Sequence, residues 1–140
     1  MPDRIPTVAG VHGGMLVIAG CVYTAIGLSW LIASSPGREA GISWLPWQAV
    51  NSTAVGWMWV ASGVLAFVAG LFSKGHRRWE NVAYFGAVFV PILLAIWFAI
   101  AWWAGSAPNG LLTTISYTGY AALVGWVGAR VRDEPGVIVP

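Results

Sequence analysis

The sequence predicts an all-α integral membrane protein, a four-helix bundle running up-down-up-down with both termini in the cytoplasm. Three observations carry this expectation. Hydrophobic residues make up 58% of the 140-residue chain and charged residues only 9%, whereas a soluble domain carries about 25% charge. Four apolar segments contain no Asp, Glu, Lys or Arg, and each approaches the roughly 20 residues that cross a bilayer at about 1.5 Å per residue. The basic residues lie almost entirely outside those segments, and mostly on one side.

Helices are expected over about 11–33, 53–72, 82–104 and 111–129, within one membrane domain spanning 1–140. A backbone in lipid must satisfy its own hydrogen bonds, which favours helices over strands of this length. The first apolar segment is read as retained in the membrane, since it outruns a signal-peptide core and no small-residue cleavage site follows. Arg4 precedes the first helix, Lys74, Arg77 and Arg78 separate the second and third, and Arg130 and Arg132 follow the fourth. Only Arg38 falls on the other side. Positive charge stays in the cytoplasm, so this six-to-one division sets the orientation.

The connection 34–52 is the only long one. Its first part, SSPGREAG, reads as a turn. The second part, ISWLPWQAV, is expected to lie along the outer interface with Trp44 and Trp47 at headgroup level, a plain loop being the alternative. Trp30, Trp102 and Trp103 fall at the same depth and are read as further interfacial anchors, because an indole has an apolar ring and a polar N–H.

Glycine is spaced by seven in two helices, as Gly13, Gly20 and Gly27 in the first and Gly56, Gly63 and Gly70 in the second. Seven residues is nearly two turns, so each trio forms a stripe. Small residues let backbones approach closely in lipid. The stripes are expected to form a helix–helix seam within the chain, with self-association as the alternative. GGMLVIAGCVYTAIG also aligns without gaps on GWMWVASGVLAFVAG, which reads as convergence on a small apolar alphabet or as a duplication.

Groups able to do chemistry are few. No phosphate loop, catalytic triad pattern, carboxylate pair or metal-spaced cluster is present. The single cysteine, Cys21, cannot form an internal disulfide. His12 and His76 read as interfacial or solvated residues. No catalytic, metal or cofactor-binding residues are expected, and no cofactor. Pro91 interrupts the third span, as a packing feature or a binding-site kink. The fourth span is the most polar. Thr113, Tyr117 and Tyr120 share a face with Thr114, Ser116 and Thr118 beside them, a stripe suited to helix packing or, alternatively, to a water-filled lumen.

The motifs GLSWL, WLPW, GWMWVASGVLAFVAGL, PILLAIWFAIAWW and RDEPGVIVP, in this order, cover most of the chain. In them the chain resembles small four-helix membrane proteins of unassigned activity encoded by phages of actinobacteria. The resemblance implies a setting and no mechanism. The expected function is non-enzymatic, with holin-like permeabilisation through oligomers in front. An accessory or superinfection-exclusion protein is the alternative, and a small channel or transporter the third reading. Expected partners are the lipid bilayer and a second copy or another membrane protein, not nucleic acid.

Overall fold

The computed structural model describes residues 10–33, 35–43, 51–72 and 77–130, with side chains described for 13–33, 35–43, 51–72 and 81–129. Everything described is helical, with turns between. Five helices run in order: α1 Gly10–Ile32, α2 Pro36–Ile42, α3 Ser52–Phe72, α4 Arg77–Trp103 and α5 Gly110–Arg130. No strand occurs among the described residues.

Three segments are long and apolar enough to cross a membrane: Gly13–Ile32 in α1, Ser52–Phe72 in α3 and Asn81–Trp103 in α4. The fourth expected span, α5, is long enough at 21 residues but is not among the three, because Thr113, Thr114, Ser116, Tyr117, Thr118 and Tyr120 dilute its apolar content. A second difference lies at 36–42, where a turn was expected and a helix forms. Ser35 caps it in an extended conformation and Pro36 opens its first turn, where a missing N–H costs nothing. The third difference is the start of α4 at Arg77, five residues before the apolar run at 82. Helical propensity does not stop where hydropathy does.

α1 packs on α3 and α5 on α4, and contacts between α3 and α4 join the two pairs. The glycine stripes form the α1/α3 seam in one antiparallel register. A Cβ on Gly20 would stand 2.7 Å from the Gly63 carbonyl oxygen, one on Gly27 2.7 Å from that of Gly56, and one on Gly70 2.7 Å from that of Gly13. No side chain fits at such distances, so the backbones touch only because these positions carry hydrogen.

α4 turns into α5 through a Schellman ending. Gly105 takes φ 76°, its N–H donates to Trp102 O at 3.0 Å, and the Ser106 N–H donates to Ala101 O at 2.9 Å. That 5→2 and 6→1 pair is the signature of a left-handed cap, and glycine adopts its backbone angle without strain. The chain then doubles back at once, and the two backbones start in contact: a Cβ on Gly110 would lie 2.6 Å from Phe98 O.

The core has two parts. Tyr23, Trp30, Trp59, Leu94, Phe98 and Val124 belong to an aromatic cluster toward the α2 end. Leu16, Ala66, Ala69 and Ala83 form a smaller cluster toward the other end.

Candidate functional site: the cleft beneath α2

α2 is fixed to the end of the helices by two contacts. Gly41 is buried with the Phe98 ring standing where a Cβ would be, so a close approach to α4 requires glycine here. Ile42 is buried beside it in the aromatic cluster. This anchorage carries Arg38 back over the end of α1.

The last turn of α1 contains no basic residue, although its carbonyls carry the negative end of the helix dipole. Arg38 supplies the missing cation from outside the helix. Its Nη1 donates to Ser29 O at 3.0 Å and Ala33 O at 3.2 Å, and its Nη2 donates to Ser29 Oγ at 3.0 Å. The guanidinium also lies 5.1 Å from the centre of the Trp30 ring, within cation–π range. These three bonds use part of the five N–H donors a guanidinium offers.

An open cleft of about 420 Å³ adjoins Arg38. Arg38 and Ser35 line one side, Asn109, Thr113, Ser116 and Tyr117 the other, and Phe98, Pro108 and Leu112 provide apolar surface. Three of these side chains are positioned by other contacts. Thr113 Oγ1 donates to Asn109 O at 3.3 Å and Ser116 Oγ to Leu112 O at 2.9 Å, leaving both oxygens able to accept. The Tyr117 ring packs against Trp59 at 5.4 Å and Phe98 at 6.0 Å between centroids. The Trp30 indole N–H is buried and makes no hydrogen bond of good geometry, with the Tyr117 side chain near enough to interact with it. Among the described residues that line the cleft, Arg38 is the one basic side chain, and there is no carboxylate, imidazole or thiol, so these residues offer binding groups and no nucleophile beside a base. Among the described residues no three His, Cys, Asp or Glu gather to hold a metal.

No family model, no curated protein and no solved structure matches the chain.

The structure brings two of the three stripe residues, Thr113 and Tyr117, into this cleft, and leaves Tyr120 one turn further along α5, 42% exposed and outside it. The glycine trios lie away from it in the α1/α3 seam. The tryptophans divide. Trp102 and Trp103 are exposed, Trp103 at 85%. Trp30 is instead 1% exposed, which corrects its reading as an interfacial anchor: its ring is enclosed by Arg38 on one face and Phe98 at 6.5 Å. Trp44 and Trp47 lie outside the described residues, as do Arg4, Lys74, His76 and Arg132 and the side chains of His12, Arg77, Arg78 and Arg130. The residues that sequence reading passes over are Arg38, Asn109 and Phe98. The available signal was Arg38 itself, the one cation between residues 5 and 73, set among Ser, Pro and Gly.

Proposed function

We propose that the chain is a four-span, non-enzymatic membrane protein with both termini in the cytoplasm, and that copies assemble through α5 into a holin-like permeable state. The fourth span is supported by geometry. α5 turns back at Gly105 and packs along α4, so where α4 crosses the bilayer, α5 lies at the same depth. The orientation is supported by the basic residues, six against one.

One observation carries the assembly. α5 packs mainly on α4, and it leaves the Tyr120 hydroxyl exposed on its flank, outside the cleft. Hydroxyls facing hydrocarbon are unfavourable unless paired or wetted. A second copy, or a water-filled space between copies, supplies what lipid cannot. The path lies between copies because the middle of one chain is filled: Tyr23, Trp59 and Leu94 are 1% exposed or less.

The test is inducible expression in a bacterium with a potential-sensitive dye. Growth should continue and the membrane potential should then collapse abruptly. A potential that stays intact for hours under strong expression would overturn permeabilisation and leave the accessory or exclusion role.

A further inference from the structure

We propose that the cleft beneath α2 binds a phosphate ester, and that its occupant is the headgroup of an anionic glycerophospholipid. The inference uses only the embedding of the chain in a bilayer, not permeabilisation. It begins from charge. Among the described residues that line it, the cleft has one cation, Arg38, and no carboxylate. A guanidinium presents paired N–H donors that suit a phosphate oxygen pair, and two of Arg38's five donors are not used by its bonds to Ser29 and Ala33. Across the cleft, the Asn109 amide and the Thr113 hydroxyl add uncharged polar groups that fit the glycerol and ester oxygens.

A second observation is independent of the cation. The Trp30 indole N–H, in a residue 1% exposed, makes no hydrogen bond of good geometry, and the Tyr117 side chain of the cleft wall is near enough to interact with it. A Tyr117 hydroxyl that donates into the cleft can turn its lone pairs toward Trp30, so an acceptor bound in the cleft completes the pairing on both sides. The volume of about 420 Å³ suits a headgroup and not a whole lipid. The cleft also has an apolar continuation. Leu112 lines the cleft and is 69% exposed, and Ile115 beyond it on α5 is 60% exposed, which gives acyl chains a track along the helix. A free phosphate ester would gain nothing from that track, so the lipid is favoured.

Purified full-length protein in dodecyl maltoside would be titrated with phosphatidylglycerol, phosphatidylcholine and glycerol 3-phosphate, with bound ligand counted by native mass spectrometry. Phosphatidylglycerol should bind at least tenfold more tightly than either of the others. Arg38→Gln should remove that preference. Because Arg38 also caps α1, Asn109→Ala provides a second variant that leaves the cap in place, and it should weaken phosphatidylglycerol several-fold. Equal affinity for phosphatidylcholine, or Arg38→Gln and Asn109→Ala proteins that bind as the parent does, would overturn the site. Glycerol 3-phosphate binding as tightly as the lipid would overturn the lipid assignment in favour of a soluble ester. Each readout is taken on isolated protein, so a failure here is separable from a failure to depolarise cells.

Discussion

The Tyr23 hydroxyl on α1 donates to the Ala87 carbonyl on α4 at 2.7 Å. Ala87 lies four residues before Pro91, which sits inside α4 and has no N–H to give it. The neighbouring Gly86 carbonyl is met by Ser62 Oγ of α3 at 3.1 Å. Proline therefore opens the α4 backbone at the point where α1 and α3 each bring a hydroxyl. An interruption that would be costly in lipid becomes the link between the two helix pairs.

Removing that hydroxyl leaves a buried acceptor without its donor. Tyr23→Phe should destabilise the protein by about 1–3 kcal/mol, read as a shift in detergent-titrated unfolding followed by circular dichroism. Ser62→Ala should cost less, since Gly86 remains close to its own helical donors. The double variant should depart from additivity, because both hydroxyls serve one turn. A Tyr23→Phe protein as stable as the parent would mean that the Ala87 carbonyl finds another donor.

The glycine seam makes a contrast between two positions. A Cβ on Gly63 would lie 2.5 Å from Thr24 Oγ1 and, on the backbone, 2.6 Å from Thr24 N and 2.8 Å from Gly20 O. Gly63→Leu must separate the helices, with an expected loss of about 1–3 kcal/mol or more. Gly119, on α5, has nothing within 4 Å of its Cβ position, and Gly119→Ala should stabilise by about 0.5–1 kcal/mol through helix propensity. Thermal unfolding in detergent compares the two. Equal effects would show that the stripe does not form the seam.

These two glycines show what the sequence makes legible. Spacing by seven reveals a stripe, and two matching stripes suggest the seam, because in lipid close backbone approach needs small residues wherever it occurs. Helix rotation is less visible. Trp57 is 58% exposed and Trp59 fully buried, and two residues on a helix are about 200° apart. Depth in the membrane is readable from both, but which of them faces inward depends on a partner helix that local sequence does not name. Trp30 was misplaced for the same reason. α2 was passed over because seven residues are too few for an apolar period, although Ser35-Pro36 is a helix-start signal. The cleft is hidden because Arg38, Phe98 and Asn109 come from three separate parts of the chain, brought together by the close contacts of Gly41 and Gly110 with Phe98.

The proposed topology can be probed where the structure leaves room. Gly37 is exposed with nothing near its Cβ position, whereas position 41 is filled by Phe98 and would misreport. In a Cys21→Ser background, Gly37→Cys and Pro108→Cys should label from outside, since both residues line the cleft at one end of the helices. His76→Cys and Glu134→Cys should label only after the membrane is permeabilised. Labelling of 37 and 76 from the same side would end the four-span reading.

The stripe on α5 separates two functions that one set of substitutions would confuse. Thr113 and Tyr117 belong to the cleft, and the Tyr117 ring is packed against Trp59 and Phe98. Altering them tests binding and packing. Tyr120 lies outside the cleft and is 42% exposed, whereas Ser116, one turn before it, lines the cleft and is bonded to Leu112 O. If assembly gives the exposed Tyr120 hydroxyl a partner or water, Tyr120→Phe turns the flank into an ordinary lipid-facing surface and removes the reason to associate. Depolarisation in expressing cells should then be delayed or lost at equal protein level, while Thr113→Val alone keeps the parental timing. The opposite order of effects, with Thr113→Val silencing collapse and the flank variant behaving as the parent, would move the permeable path to the cleft and away from the contact between copies.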